Sequence, residues 1–130
     1  MAPELERVDH IHLFVADRSA AEQRYARVVG LKRLKDLEFW AHDGGPLTIG
    51  SPSGSVHIAL FERPAAKCRS TIALATTAEG LRAWREHLAG ELGRPVETVD
   101  HEVSWSLYFE DPDGNAYEVT TYEYEALTRR

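Results

Sequence analysis

The chain has one cysteine in 130 residues, Cys68, so no internal disulfide can form. Nothing in the surrounding AAKCRST marks that thiol as a nucleophile, and it reads as a thiol at a strand edge. Basic charge is also scarce: 15 Lys and Arg stand against 21 Asp and Glu, interspersed, for a net charge of -6. Without a basic stripe there is nothing to neutralise a phosphate backbone, which argues against nucleic acid as a partner. No apolar run approaches the roughly 20 residues of a membrane span. The opening MAPELERVDH lacks the basic-then-apolar order of a signal peptide, so the expected location is the cytoplasm. Familiar catalytic signatures are missing too. Ser104 and Ser106 share a strand face near His101, but no nucleophile elbow surrounds them. The glycines of HDGG and SPSG have neither the strand-to-helix setting nor the lysine of a phosphate loop, and read as turns.

What remains is an apolar content of 43%, enough to give a chain of this length one ordinary core. Its order is duplicated. VDHIHLFVA reads as a strand, and DRSAAEQRYARVVG as a helix that starts at Asp/Ser and stops at Gly30. Three β-like runs follow, LKRLKDLEFWA, PLTIGS and SVHIALFE, divided by HDGG and PSG. The second half repeats this plan. STIALAT is a strand, and TAEGLRAWREHLAG is a helix with Leu81, Trp84 and Leu88 on one apolar face. VETVDHE, WSLYFE and NAYEVTTY complete it as strands. The turns echo as well, SPSGSVHIALF answering DPDGNAYEVTT 60 positions later. The chain is therefore expected to be a single α+β domain over 1–130, made of two βαβββ modules at about 5–63 and 69–124 joined by RPAAKCR.

Paired βαβββ modules closing on YFEDPDGNAYEV resemble the vicinal oxygen chelate superfamily, from VDHIHLFVADRSAAEQRYARVVGL to DPDGNAYEV. That group includes glyoxalase I, extradiol dioxygenases, fosfomycin-resistance enzymes and bleomycin-resistance binding proteins. The resemblance implies a cup-shaped mixed sheet with ligand or metal inside it, and a homodimer. Because one fold carries such different activities, the site has to decide among them.

The resemblance also implies metal ligands on the first strand of each module and on the last strands. His10 and Glu118 fall at two such positions. The second module offers Thr71, flanked by Arg69, Ala73 and Ala75, where an imidazole would belong. At the end of the first module the turn echo puts Ile58 opposite Glu118, whereas the acid-Leu pattern of the family puts Ala59 there. None of these coordinates a metal, which leaves two of four positions, while a catalytic divalent site uses about three protein ligands. His12, on the same strand face as His10, and His57 are the residues that could complete a set for zinc, iron or nickel.

Aromatic side chains supply the other kind of site. Trp84 belongs to the core, whereas Trp40, Trp105 and Tyr108 border polar residues and turns. The expected ligand-binding set is therefore His10, His12, Trp40, His57, Trp105, Ser106, Tyr108 and Glu118. An aromatic lining with a few polar groups suits a flat, largely apolar small molecule. The reading is a binding protein of the bleomycin-resistance type that sequesters an aromatic antibiotic or toxic metabolite without turnover and without a cofactor. Its rival is a metal-dependent enzyme of the glyoxalase I or extradiol dioxygenase kind, holding zinc, iron, nickel or manganese. An orphan stress or regulatory module is a third.

Overall fold

The structure, a computed structural model, describes residues 2–64 and 69–128. Cys68 and most of the joint RPAAKCR lie outside the described residues. The chain divides into two compact units, Met1–Ala66 and Lys67–Arg130.

The first unit runs β1 (Ile11–Val15), α1 (Arg18–Arg24), β2 (Lys32–Arg33), β3 (Leu47–Gly50) and β4 (His57–Glu62). The second runs β5 (Thr71–Ala75), α2 (Ala78–Leu92), β6 (Thr98–Asp100), β7 (Trp105–Glu110), β8 (Ala116–Thr121) and a short α3 (Tyr124–Thr128). Each unit holds a four-stranded mixed sheet of one topology, β1-β4-β3-β2 and β5-β8-β7-β6. In each, the first strand pairs parallel to the last and the other pairs are antiparallel. The fold class is α+β, as expected.

Strand alternation sorts each sheet into a face that packs on its helix and a far face. In the first unit Leu13, Val15, Ile49, Ile58 and Leu60 are buried with Tyr25 and Val28. In the second, Leu107, Phe109, Tyr117 and Val119 are buried with Leu81 and Leu88 of α2. The rings of Phe109 and Tyr117 stack across the β7–β8 pair at 5.2 Å. Each such side chain contributes about 1.5–3 kcal/mol by leaving water.

Both helices are started by the same device. Asp17 accepts from Ala20 N at 3.1 Å and Thr77 from Gly80 N at 3.0 Å. A carboxylate then reaches each helix from the end of its sheet. Glu62 accepts from Arg18 N at 2.9 Å and Glu123 from Ala78 N at 2.8 Å. Two of the orphan N–H groups at each helix start are thus satisfied, with negative charge at the positive end of the dipole.

The two strand-joining turns differ by one residue, and the difference decides which side chains face which way. In the second unit Asp111 N bonds to Asn115 O, and the Asp111 carboxylate accepts from Asp113 N, Asn115 N and Asn115 Nδ2. In the first unit Ser51 N bonds to Val56 O, one residue further along. Val56 therefore answers Asn115 at an offset of 59. The counterpart of Glu118 is Ala59, as the register confirms: Ala59 lies between His12 and Thr48 just as Glu118 lies between Ala73 and Tyr108. The offset of 60 is overturned beyond the turn, since a slip of one residue exchanges the two faces, and Ile58 lies on the helix side.

Other expectations need correction. LKRLKDLEFWA is not a strand: only Lys32–Arg33 pairs, and Lys35–Ala41 form a 3₁₀ helix. Leu34 and Leu37, three apart and half-buried, take the eclipsed positions of such a helix, with Leu37 N bonded to Leu34 O. The first helix ends in a π turn, Tyr25–Val29, closed by Gly30 at φ 76°. Trp84 is half-buried and meets the edge of His87.

Candidate functional site

Glu118 stands at the middle of β8 on the far face of the second sheet, with Ala73 on one side and Tyr108 on the other. Thr71, Ala73 and Ala75 are small and exposed, so the side of Glu118 toward β5 is open. Its carboxylate is held from the β7 side, where Ser106 Oγ donates to Oε2 at 2.6 Å. That contact is short because the acceptor is charged. Ser106 is 0% exposed and also lies 2.9 Å from Thr120 Oγ1. Thr120 Oγ1 is in turn 3.2 Å from the Trp105 carbonyl. Ser106 therefore fixes Glu118 from beneath.

Tyr108 is 41% exposed, and its hydroxyl meets His101 Nε2 at 2.9 Å. Burial, then the charge and hydrogen bonding of Glu118, push the phenol above its ordinary value. At neutral pH it is a protonated donor. His101, Tyr108, Glu118 and Ser106 thus form one polar row, half open to solvent. His101 sits in the β6–β7 turn, where Glu102 takes φ 69° and His101 N bonds to Ser104 O. Its proximity in sequence to Ser106 is legible, but its bond to Tyr108 depends on that turn.

Trp105 does not belong to this row. Alternation turns it to the helix side, where it stacks on Tyr124 at 5.3 Å and donates from Nε1 to Tyr124 O at 3.3 Å. The α3 segment that holds it has no counterpart among the described residues of the first unit, so the repeat gave no sign of it.

Three of the first unit's four histidines, His10, His12 and His57, lie at the start of its parallel strand pair. His10 just precedes β1, and its Nδ1 lies 2.9 Å from Asp9 Oδ2. His10 Nε2 faces His12 Nε2 at 3.0 Å, and the His12 ring packs on Phe61 at 4.9 Å. With Asp9 taking the Nδ1 proton, His10 Nε2 is the acceptor and His12 the donor. Hydrogen bonding from His10, with Arg7 nearby, lowers the Asp9 carboxyl from its ordinary value. His57 starts β4 opposite Gly50. Asp9 was not foreseen, although a carboxylate next to a histidine is the signal for such a pair.

Trp40 is 48% exposed at the end of the 3₁₀ helix, against Phe39 at 5.2 Å. Its segment is anchored by Arg18, which donates to Gly45 O at 2.7 Å and Ala41 O at 3.3 Å. Gly45 has to be glycine, because a Cβ would strike the Trp40 carbonyl.

The model of the Glyoxalase/Bleomycin resistance protein/Dioxygenase superfamily matches residues 7–119. The chain belongs to this superfamily. Among solved structures, an integron cassette protein from the Halifax Harbour sewage outfall metagenome is similar over 90% of this chain and 99% of that one, with TM-score 0.71 and 15% identity. A protein from the mobile metagenome of V. Pseudocholerae is 25% identical over 94% and 98%, with TM-score 0.65. The fosfomycin resistance protein FosX from Listeria monocytogenes, solved with Mn(II) and sulfate, is 17% identical over 98% of each chain, with TM-score 0.67. A comparison with curated proteins finds no significant match.

The FosX structure holds Mn(II), and the donors of this chain decide whether it can hold such an ion. The two Nε2 atoms, 3.0 Å apart, could turn to adjacent corners of a coordination sphere only by giving up their mutual hydrogen bond and the His12 Nε2 proton, with Asp9 orienting His10 from behind. A third donor is lacking: among the described residues no group of three or more His, Cys, Asp or Glu could hold a metal ion. The superfamily's acidic position, Glu118, has one oxygen committed to Ser106. Among the described residues of either unit, the donor set does not fit a resident divalent ion. Among the described residues no helix is long and apolar enough to cross a membrane.

Proposed function

We propose that this superfamily member binds a flat, hydrogen-bond-donating aromatic molecule, an antibiotic or toxic metabolite, and sequesters it without chemical change. The observation that carries the reading is the fixed carboxylate of Glu118, bonded to Ser106 at 2.6 Å beneath and flanked by the half-open Tyr108. A pre-oriented acceptor beside a phenol donor and an aromatic face is the sparse polar set that orients an otherwise apolar ligand. The exposed Thr71, Ala73 and Ala75 leave room alongside it. Small multiply charged anions suit it poorly, because the charge on this row is Glu118's own.

Within the first unit, His10, His12, Trp40 and His57 are the residues assigned to ligand contact, and the protein acts as a homodimer in the cytoplasm. The test is a titration of the protein against polycyclic antibiotics, catechols, glutathione thioacetals and fosfomycin, with product analysis alongside. Saturable binding of the flat aromatics, unchanged after recovery and weakened about tenfold by Glu118→Gln, is expected from the loss of a charge-assisted bond. Turnover of any compound, or binding confined to the small polar ones, overturns the reading in favour of the enzyme.

A further inference from the structure

The second unit contains a groove of about 610 Å³ on the helix side of its sheet, away from the Glu118 row. That volume is in the range of small-molecule sites, roughly 300–1,000 Å³. Its walls are apolar: Leu81 and Ala89 of α2, Val96 before β6, and Leu127 of α3. Trp105 forms one side, its plane set by stacking on Tyr124 and its Nε1–H by the Tyr124 carbonyl. None of these atoms needs a ligand for its own hydrogen bonding, so the groove is preformed.

Two arginines stand over it. Arg82 donates from Nη2 to Ala126 O at 3.0 Å, and Arg85 from Nε to Val96 O at 3.2 Å. Each guanidinium is thereby held in place by one N–H and keeps the others. The described residues give neither of them a carboxylate partner. Arg33, by contrast, is paired with both Glu22 and Glu38. Spacing explains how the arginines come together. Arg82 and Arg85 are three apart, on the α2 face that also carries Leu81 and Ala89, so the helix presents cation and apolar wall side by side. Glu86 is the one acid on the lining, and leaves the groove with an excess of one positive charge.

We propose that this groove binds a small amphiphilic carboxylate, an aromatic or alkyl acid whose apolar part lies against Trp105, Leu81 and Val96 and whose carboxylate bridges Arg82 and Arg85. The site is independent of the Glu118 row and does not require that row to bind anything. A planar guanidinium fork matches a carboxylate, and a neutral ligand of the same shape cannot use it.

The experiment follows ¹H–¹⁵N spectra of the intact chain titrated with 1-naphthaleneacetate and, separately, with its neutral amide. Expected are saturable shifts at the Trp105 indole N–H and the Arg85 Nε–H, and affinity for the acid at least about tenfold above the amide, one charge-assisted bond's worth. The double substitution Arg82→Gln, Arg85→Gln abolishes that preference, and Glu118→Gln leaves it unchanged. Equal affinity of acid and amide, shifts confined to Tyr108 and its neighbours, or no saturation by about 5 mM, weaker than ordinary ligand affinities, overturns the proposal. So does finding, by sedimentation and hydrogen exchange, that a second copy of the chain covers α2 and α3. The acid-to-amide comparison on the unaltered protein decides the matter even if the double variant does not fold.

Discussion

The Ser106–Glu118 contact is the point where one side chain decides what another can do. Ser106 is buried, so its hydroxyl exchanges no hydrogen bond with water, and its removal leaves Glu118 Oε2 without that donor. Ser106→Ala is expected to cost about 1–3 kcal/mol of stability, read from urea unfolding, and to loosen ligand affinity in parallel. Tyr108 adds a pH signature. Its folded-state value is raised above 10.0, by burial first and by Glu118 second. The folded protein therefore holds this proton more tightly than the unfolded chain does. The stability it contributes is complete below pH 10, the unfolded value, and is lost as pH rises through the raised one. Absorbance titration at alkaline pH, with Tyr108→Phe as the difference, should place this phenol above an ordinary tyrosine, and Glu118→Gln should bring it part of the way back. Glu118 and Tyr108 were legible because residues ten apart on adjoining strands of a hairpin share a face. Trp105 could have been assigned correctly from the same alternation, since it is an odd number of residues from Tyr108. The burial of Ser106 depends on what covers it in three dimensions, and no local pattern encodes that.

At the scale of elements, the repeat was readable where it rests on local chemistry. Both βαβββ units, the helix starts at Asp17 and Thr77, and the two glycine turns follow from caps and alternation. It misled where a single residue was inserted, because the SPSGS turn closes at Val56 and DPDGN at Asn115, which moves Ala59 and not Ile58 into the place of Glu118. The 3₁₀ helix was missed because Leu37, Phe39 and Ala41 alternate like a strand, while Leu34, Leu37 and Trp40 follow a three-residue repeat. The caps supplied by Glu62 and Glu123 come from 44 and 45 residues away, beyond any helix-start motif. Their equivalence makes a prediction: Glu62→Ala and Glu123→Ala should each destabilise by about 0.5–2 kcal/mol, the cost of a lost N-terminal cap. Denaturant titration of each variant measures it. A loss in one and none in the other would mean that the two units do not use the device alike.

For the whole molecule two quantities matter, the number of chains and the number of metal ions. β1 and β5 are each the first strand of their sheet order, so each has an outer edge beyond its one pairing, and Phe14 stands 40% exposed on β1. Edges of that kind are normally covered, and light scattering at micromolar concentration is expected to give twice the chain mass; a monomer mass refutes the dimer. Metal content follows from counting donors. In the first unit His10 and His12 present facing Nε2 atoms, and the second unit's Glu118 already serves Ser106. Coordination energy grows with each deprotonated ligand that a folded site pre-assembles, and two imidazoles supply only part of what a three-ligand site does. Protein purified without chelator or metal-affinity resin is therefore expected to carry less than one equivalent of zinc, iron, nickel or manganese by elemental analysis, and dialysis should remove it. His10→Ala should leave stability within about 0.5 kcal/mol of the parent, as for other exposed positions, and weaken the binding of flat aromatics by the loss of one contact. One tightly held equivalent that disappears in His10→Ala would mean that His10 is a metal ligand, and would turn the sequestering protein into a metal-dependent enzyme.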